Sequence, residues 1–147
     1  MKNHFLYLLA FICISFVACS NDDDDSCSGK TEAISIIVEN LPMANITGTA
    51  SVNGDNISVD IGGDSSNNSK VFFSCPNAIG TYDLNLDFSG QSESQTVTAF
   101  VPAETLNVIL SSGCFEIVSI DASDVVMRFN VNEGDASING EIALDVN

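Results

Sequence analysis

Apolar and polar residues alternate with a period of two along most of the chain after residue 30. The alternation is strictest within residues 80–88, where every second position from Tyr82 to Phe88 is apolar. A period of two indicates a half-buried β-strand, because successive side chains of a strand point to opposite faces. No window of this region has the spacing of three and four that is typical of an amphipathic helix. The pattern therefore predicts an all-β domain.

Turn residues divide this region into short apolar segments. The segments are 33–39, 46–52, 57–61, 71–75, 80–88, 96–101, 106–110, 114–120, 125–131 and 138–146. Asn53-Gly54-Asp55 lies between two alternating segments and is a strong hairpin signal, because glycine accepts the positive φ of tight turns. Such spacing is typical of an antiparallel β-sandwich or flattened barrel of about 8–10 short strands. We predict this fold for one domain over residues 31–147.

The first 18 residues follow a different pattern. Lys2 is their only lysine or arginine, and the fourteen residues 5–18 carry no charge. That length matches the core of a signal peptide, whereas a membrane-spanning helix needs about 20 apolar residues. Residues 16–18 (Phe-Val-Ala) precede Cys19 and resemble a lipobox, at which the peptide is cleaved and the cysteine lipidated. We predict a lipoprotein signal peptide over 1–18 and a membrane anchor on Cys19. The alternative is an ordinary signal peptide or a short anchor.

An acidic run follows the predicted anchor. Residues 20–26 contain four consecutive aspartates, Asp22–Asp25, and no apolar residue. Such a run cannot pack into a core, so we predict a flexible tether over residues 19–30. It resembles the acidic export signal of surface lipoproteins of Bacteroidota-type bacteria, which implies a lipid-anchored protein on the exterior of the outer membrane. The alternative is a solvated spacer on a protein that faces the periplasm.

The charge balance limits the possible partners. After removal of residues 1–18, Lys30, Lys70 and Arg128 remain as the strong cations against 20 acidic residues. Such a strongly negative chain repels phosphate groups. Nucleic acid is therefore excluded as a partner, and membrane contact is expected through the lipid. An envelope protein or a glycan remains a possible partner.

Three cysteines, Cys27, Cys75 and Cys114, remain in the predicted mature domain and its tether. Three thiols allow one disulfide, which suits an oxidising compartment. We favour Cys75–Cys114 because both residues lie at strand ends, whereas Cys27 lies in the predicted tether. Pairing of Cys27 with either of the others is the alternative.

The chain offers little for catalysis. Its one histidine, His4, belongs to the predicted signal peptide, so a triad that needs a histidine base is not expected. Acidic pairs are inevitable among 20 acidic residues, so a carboxylate mechanism has no specific signal. Tryptophan is absent, and we expect the strand phenylalanines to be core residues. These are Phe72, Phe73, Phe88, Phe100, Phe115 and Phe129. We therefore predict a protein that is not an enzyme.

Calcium is the one cofactor that the composition suggests. It binds six to eight oxygen ligands in flexible loops. One candidate set is Asp60 with Asp64 and Asn67, and the other combines Asn130 and Asn132 with Glu133 and Asp135. Neither set has the spacing of an EF-hand, and polar turns between strands are the alternative interpretation.

Four short segments in the second half of the chain carry a resemblance through their sequences and their order. They are 80–84 (Gly-Thr-Tyr-Asp-Leu), 113–117 (Gly-Cys-Phe-Glu-Ile), 128–131 (Arg-Phe-Asn-Val) and 138–142 (Ile-Asn-Gly-Glu-Ile). With the earlier Asn53-Gly54 turn, they resemble a family of small Bacteroidota-type lipoproteins of unknown function. The resemblance spans residues 46–146 and implies an all-β domain behind a lipobox, without an activity.

We predict a surface-exposed, non-enzymatic binding or envelope accessory module. One alternative is a carboxylate- or calcium-dependent enzyme that acts on envelope carbohydrate. Another is a structural subunit of an outer-membrane complex.

Overall fold

The computed structural model describes Cys27 and residues 30–86, 95–102 and 106–147. The predicted signal peptide, Cys19, the run Asp22–Asp25 and Phe88 lie outside the described residues. No helix among the described residues is long and apolar enough to cross a membrane.

The described part of the chain contains eleven β-strands. They are β1 (Ser35–Val38), β2 (Leu41–Pro42), β3 (Ala44–Asn53), β4 (Asn56–Asp64), β5 (Lys70–Pro76), β6 (Gly80–Asp83), β7 (Val97–Val101), β8 (Leu106–Leu110), β9 (Gly113–Ile120), β10 (Asp124–Glu133) and β11 (Ala136–Val146).

All the strands belong to one sheet, in the order β6-β9-β10-β11-β3-β4-β5-β7-β8. Strand β11 joins the two halves of the sheet, because it pairs with β10 along its length and with β3 at its end. The β3–β11 contact is parallel, with Asp145 opposite Thr49, while the other strand pairs are antiparallel. Strand β1 pairs with the first half of β11 and reverses through a tight turn into β2.

The all-β prediction is confirmed, but two separate sheets are not seen. The sheet is open and curls over its own core. Each predicted apolar segment contains or overlaps a strand. The structure has one further strand, the two-residue β2, which lies between the predicted segments 33–39 and 46–52. The prediction for residues 80–88 was too long, because β6 ends at Asp83 and Leu86 is 42% exposed.

Two hairpins use the same pair of turn residues. Gly54-Asp55 connects β3 to β4, and Gly134-Asp135 connects β10 to β11. In each turn only the glycine has a positive φ, 60° and 58° respectively, which is the signature of a type II′ turn. The predicted hairpin is therefore present, with glycine as the first of its two central residues and Asn53 as the last residue of the strand.

The core fills the inside of the curl. Phe73 on β5 packs against Phe115 on β9 and Phe129 on β10, with ring centroids 5.3 and 5.9 Å apart. Tyr82 stacks on Phe115 at 5.1 Å and donates its hydroxyl to the carbonyl of Ala78. These rings link the two halves of the sheet, so burial of apolar area holds the curl closed.

The N-terminal segment is fastened to the outside of the sheet. Cys27 is fully buried and forms a disulfide with Cys114 on β9, with Cα atoms 5.9 Å apart. Further along, the backbone of Glu32 accepts a hydrogen bond from Glu141 N at 2.7 Å. A side chain at Gly140, whose φ is 108°, would place Cβ 2.7 Å from the carbonyl oxygen of Glu32. Glycine therefore permits this close approach.

The favoured Cys75–Cys114 pairing was wrong. Cys75 alternates with Val71 and Phe73 on β5 and points into the core, where it is 2% exposed. Cys114 directly precedes Phe115, whose ring lies in the core, so Cys114 points to the opposite face. The alternative, pairing through Cys27, is the one in the structure. Cys27 was also assigned to the flexible tether, but the disulfide makes it part of the folded domain.

Candidate binding groove

The outer surface of the sheet has two regions, which differ in how their polar side chains are used. The "groove face" comprises the outward side chains of β3, β4, β5, β7 and β8. The "bonded face" comprises those of β6, β9, β10 and β11. In both regions the inward partners are core residues, so strict alternation along each strand determines which side chains point outward.

Cross-strand pairing arranges the groove face in rows. One row runs Thr49, Asp60, Phe72, Thr98 and Ile109, each opposite the next on the neighbouring strand. A second row is formed by serines alone: Ser51, Ser58 and Ser74. Neighbouring strands lie about 4.8 Å apart, so the members of a row form a continuous surface.

An open groove of about 760 Å³ lies on this face. Its volume falls within the range of about 300–1,000 Å³ that is typical of small-ligand sites. Six hydroxyl-bearing residues line it: Thr49, Ser51, Ser58, Ser74, Thr96 and Thr98. Asp60, Phe72 and Gln95 also contribute, and the ring of Phe72 is 43% exposed.

Two phenylalanines that were predicted in the core are not there: Phe100 is half-buried, in the outward phase of β7 opposite Lys70, and Phe72 is exposed. Phe72 is the one that lies in the groove. It was expected in the core with the other strand phenylalanines. Phe73, Phe115 and Phe129 are buried as predicted, but Phe72 points outward between Asp60 and Thr98. Val71-Phe72-Phe73 has apolar residues in both phases of the alternation, so these three positions by themselves do not show which ring is exposed. The phase of Val71, Phe73 and Cys75 was the available signal.

The groove side chains do not bond to one another. Within the described residues, the hydroxyls of its serines and threonines and the carboxylate of Asp60 have no side-chain hydrogen-bond partner. Gln95 donates its amide to the carbonyl oxygen of Ser74 at 2.8 Å. Its side-chain oxygen has no protein partner among the described residues. The groove therefore presents donors and acceptors that the fold itself does not use.

The bonded face is different, because its polar groups bind each other. Arg128 donates to Glu141 at 2.8 Å and lies 3.4 Å from Glu116, so one cation bridges two carboxylates. The hydrogen bond to Glu141 is the main cause that raises the pKa of Arg128. Beside it, Asn132 donates to Asn130 at 3.2 Å and accepts from Asn139 at 2.9 Å. These contacts stabilise the sheet surface and leave few groups for a ligand.

The first calcium set is spread along β4 and its following loop. Asp60 lies in the groove, whereas Asp64 accepts a hydrogen bond from Asn45 at 2.7 Å. Asn67 accepts one from the backbone of Ser69. Asp64 and Asn67 thus have different partners, and Asp60 has no side-chain partner among the described residues.

The second set is also divided. Asn130 and Asn132 belong to the amide cluster of the bonded face. The Glu133 carboxylate accepts hydrogen bonds from the backbone amides of Ser111 and Ser112, which stabilises the turn from β8 to β9. Asp135 occupies the β10–β11 turn. The residues that the structure describes include no group of three or more His, Cys, Asp or Glu placed to hold a metal ion. Calcium binding stays a prediction.

Comparisons with known proteins give no assignment. No family model, no curated protein and no solved structure matches this chain. The fold and its groove therefore provide the basis for a functional proposal.

Proposed function

We propose that the protein is a lipid-anchored binding module of the outer-membrane surface, with the groove face as its binding surface. The groove carries this proposal, because it combines an exposed aromatic residue with a row of hydroxyls that have no side-chain partner among the described residues. Exposed large apolar side chains in a concave polar setting are typical of binding sites. The lipobox-like segment before Cys19 supports the anchor, and the acidic run Asp22–Asp25 supports export to the exterior.

The position of the disulfide supports a module held close to the membrane. Seven residues lie between Cys19 and Cys27, so the eight Cα-to-Cα steps of an extended tether reach at most about 29 Å. The disulfide then fastens the chain to β9 on the bonded face. The groove face lies on the other half of the sheet, which leaves it available to a partner.

The enzyme alternative receives no specific support. Glycoside hydrolysis uses two carboxylates about 5–9.5 Å apart. Asp60 is the one carboxylate among the described residues that line the groove. The carboxylates of Glu116 and Glu141 lie on the other face and share Arg128. A binding role remains the better proposal for this groove.

Two experiments on cells test the proposal. Cys19→Ala should move the protein from the membrane fraction to the soluble fraction, and unchanged membrane retention would refute the anchor. Protease treatment of intact cells should remove the wild-type domain. Survival of the domain, under conditions in which a known surface protein is cleaved, would refute surface display.

The binding surface is tested by crosslinking on whole cells. Wild-type protein should crosslink to an envelope component, and Phe72→Asp should abolish this product. Arg128→Gln on the bonded face is the matched control and should leave the product unchanged. Equal products from wild type and Phe72→Asp would refute the assignment of the groove face.

A further inference from the structure

We infer that the groove binds a neutral oligosaccharide. This inference deepens the proposed function and rests on the groove face being the binding surface. It identifies the chemical class of ligand from three properties of the groove: its hydrogen-bonding groups, its charge and the strand pairing along its central row.

The hydrogen-bonding groups suit a polyhydroxyl ligand. Serine and threonine hydroxyls both donate and accept, the Asp60 carboxylate accepts, and Gln95 retains an amide oxygen acceptor. A sugar hydroxyl also donates and accepts, so it can bond to any of these groups. The rows Ser51-Ser58-Ser74 and Thr49-Asp60 place such groups on the three adjacent strands β3, β4 and β5. A ligand that lies across the strands would meet a repeated series of partners.

The ring of Phe72 provides the apolar part of the site. It is 43% exposed and lies between the side chains of Asp60 and Thr98 in the cross-strand row. The face of a sugar ring that carries C–H groups can pack on an aromatic ring, while its hydroxyls reach polar groups at the edge of the contact. Phe72 thus provides an apolar surface for the sugar ring, and Asp60 and Thr98 on either side provide polar groups for its hydroxyls.

The charge of the groove excludes anionic ligands. Among the described residues that line the groove, Asp60 is the one charged residue. Lys70 lies on the same face, but it lines an adjoining cavity together with Asp60 and Asp145. The whole chain carries a formal charge of −16, so uronates, sulfated sugars and phosphorylated ligands are repelled. A neutral sugar escapes this repulsion.

The position of the groove within the sheet argues against an extended peptide. Strands β3, β4, β5 and β7 each pair with a neighbour on both sides. Along the cross-strand row from Thr49 to Thr98 every residue is paired on both sides, so the backbone N–H and C=O groups there are used in the sheet and offer no edge for strand addition. Beyond Phe72, β5 has no β7 partner among the described residues, and the carbonyl oxygen of Ser74 accepts the Gln95 amide instead. Recognition in this groove depends on side chains, and these are the hydroxyl, amide, carboxylate and aromatic groups described above.

A binding experiment with purified protein tests the inference. A chain that begins at Ser20 retains every described residue and omits the signal peptide and Cys19. It is titrated calorimetrically, at millimolar ligand, with hexasaccharides of glucan, mannan, galactan and xylan. Oligogalacturonate is the anionic probe and oligolysine the cationic peptide probe. We expect at least one neutral hexasaccharide to bind and oligogalacturonate not to bind.

Variants connect the binding to the groove. Phe72→Ala should weaken the affinity for the neutral sugar about tenfold, equivalent to about 1.4 kcal/mol. Ser58→Ala and Asp60→Asn should weaken it by smaller factors. Ile79→Ala removes an exposed apolar side chain outside the groove lining and should leave the affinity unchanged.

Three outcomes overturn the inference: no neutral hexasaccharide binds, only oligolysine binds, or Phe72→Ala binds the sugar as tightly as wild type. These outcomes are distinct from failure of the proposed function. If Phe72→Asp abolishes the crosslink on cells but no neutral sugar binds, the groove is a binding surface for another class of ligand. If Phe72→Asp leaves the crosslink unchanged and no neutral sugar binds, both proposals fail.

Discussion

Cys27 and Cys114 are joined by a disulfide across 87 positions of the chain. The bond fixes Cys27 on β9, and further along the chain the backbones of Glu32 and Ala33 lie against Gly140 on β11. Cys75 remains a free thiol on the opposite, inward side of the sheet. This arrangement determines how the predicted tether joins the domain, and several tests follow from it.

The reactivity of the thiols should report the pairing directly. In a chain that begins at Ser20, the native protein should show no reactive thiol, because Cys75 is buried and the other two cysteines are bonded. Denaturation without reductant should expose one thiol per chain, and Cys75→Ser should remove it. Alkylation followed by peptide mass spectrometry identifies the residue. Labelling of Cys27 under these conditions would contradict the structure.

Loss of the disulfide should destabilise the domain. The double variant Cys27→Ser with Cys114→Ser should lower the free energy of unfolding by about 2–5 kcal/mol, because the unfolded chain regains the entropy of a long open loop. Urea denaturation measures this change. Reduction of the wild type should reproduce the result, whereas reduction of the double variant should have no further effect. An unchanged midpoint after complete reduction would oppose this prediction.

The neighbouring residues Phe72 and Phe73 should differ sharply in their contribution to stability. Phe73→Ala removes a ring that packs against Phe115 and Phe129, so we expect a loss of about 3–5 kcal/mol. Phe72→Ala removes an outward ring and should change stability by about 0.5 kcal/mol or less. Denaturant unfolding of the two variants gives the comparison. Similar losses for both would show that the phase of β5 is wrong.

Gly140 should tolerate substitution less well than Gly134. Both have a positive φ, but a Cβ at Gly134 meets nothing within 4 Å, whereas one at Gly140 lies 2.7 Å from the carbonyl oxygen of Glu32. Gly134→Ala should cost about 1–2 kcal/mol from the backbone conformation alone. Gly140→Ala should cost more, because the N-terminal segment must also move. If Gly134→Ala and Gly140→Ala lower the melting temperature equally, the contact of Gly140 with the N-terminal segment does not add to the cost of substitution.

Alkaline pH should weaken the domain through Cys75. Burial raises the pKa of its thiol from 9.0 to about 12, so the unfolded chain ionises this group at lower pH than the folded chain. Its contribution to stability is therefore complete below pH 9 and is lost as the pH rises towards 12. Cys75→Val lacks the group. Unfolding at about pH 8 and pH 10 should show the wild type losing more stability than the variant; parallel losses would contradict the prediction.

The sequence by itself determined which segments form strands. Alternation with a period of two is a local property, and it located the strands, the glycine turns and most of the core, including Phe115 and Phe129. It could also have shown that Cys114 shares a phase with Glu116, opposite to Phe115. The local sequence could therefore predict the face to which each cysteine points, but it could not predict the distances between the cysteines in the fold.

Only the tertiary structure decided which strands are neighbours and which residues meet. Pairing between strands distant in sequence brings Asp60, Phe72 and Thr98 into one row, and the parallel contact of β3 with β11 joins the two halves of the sheet. Likewise, the partner of Cys114 depends on the path of the N-terminal segment over the outer face. Many strand orders are compatible with the same alternation. The alternation shows which face of a strand is buried, but it does not show which strand lies next to it.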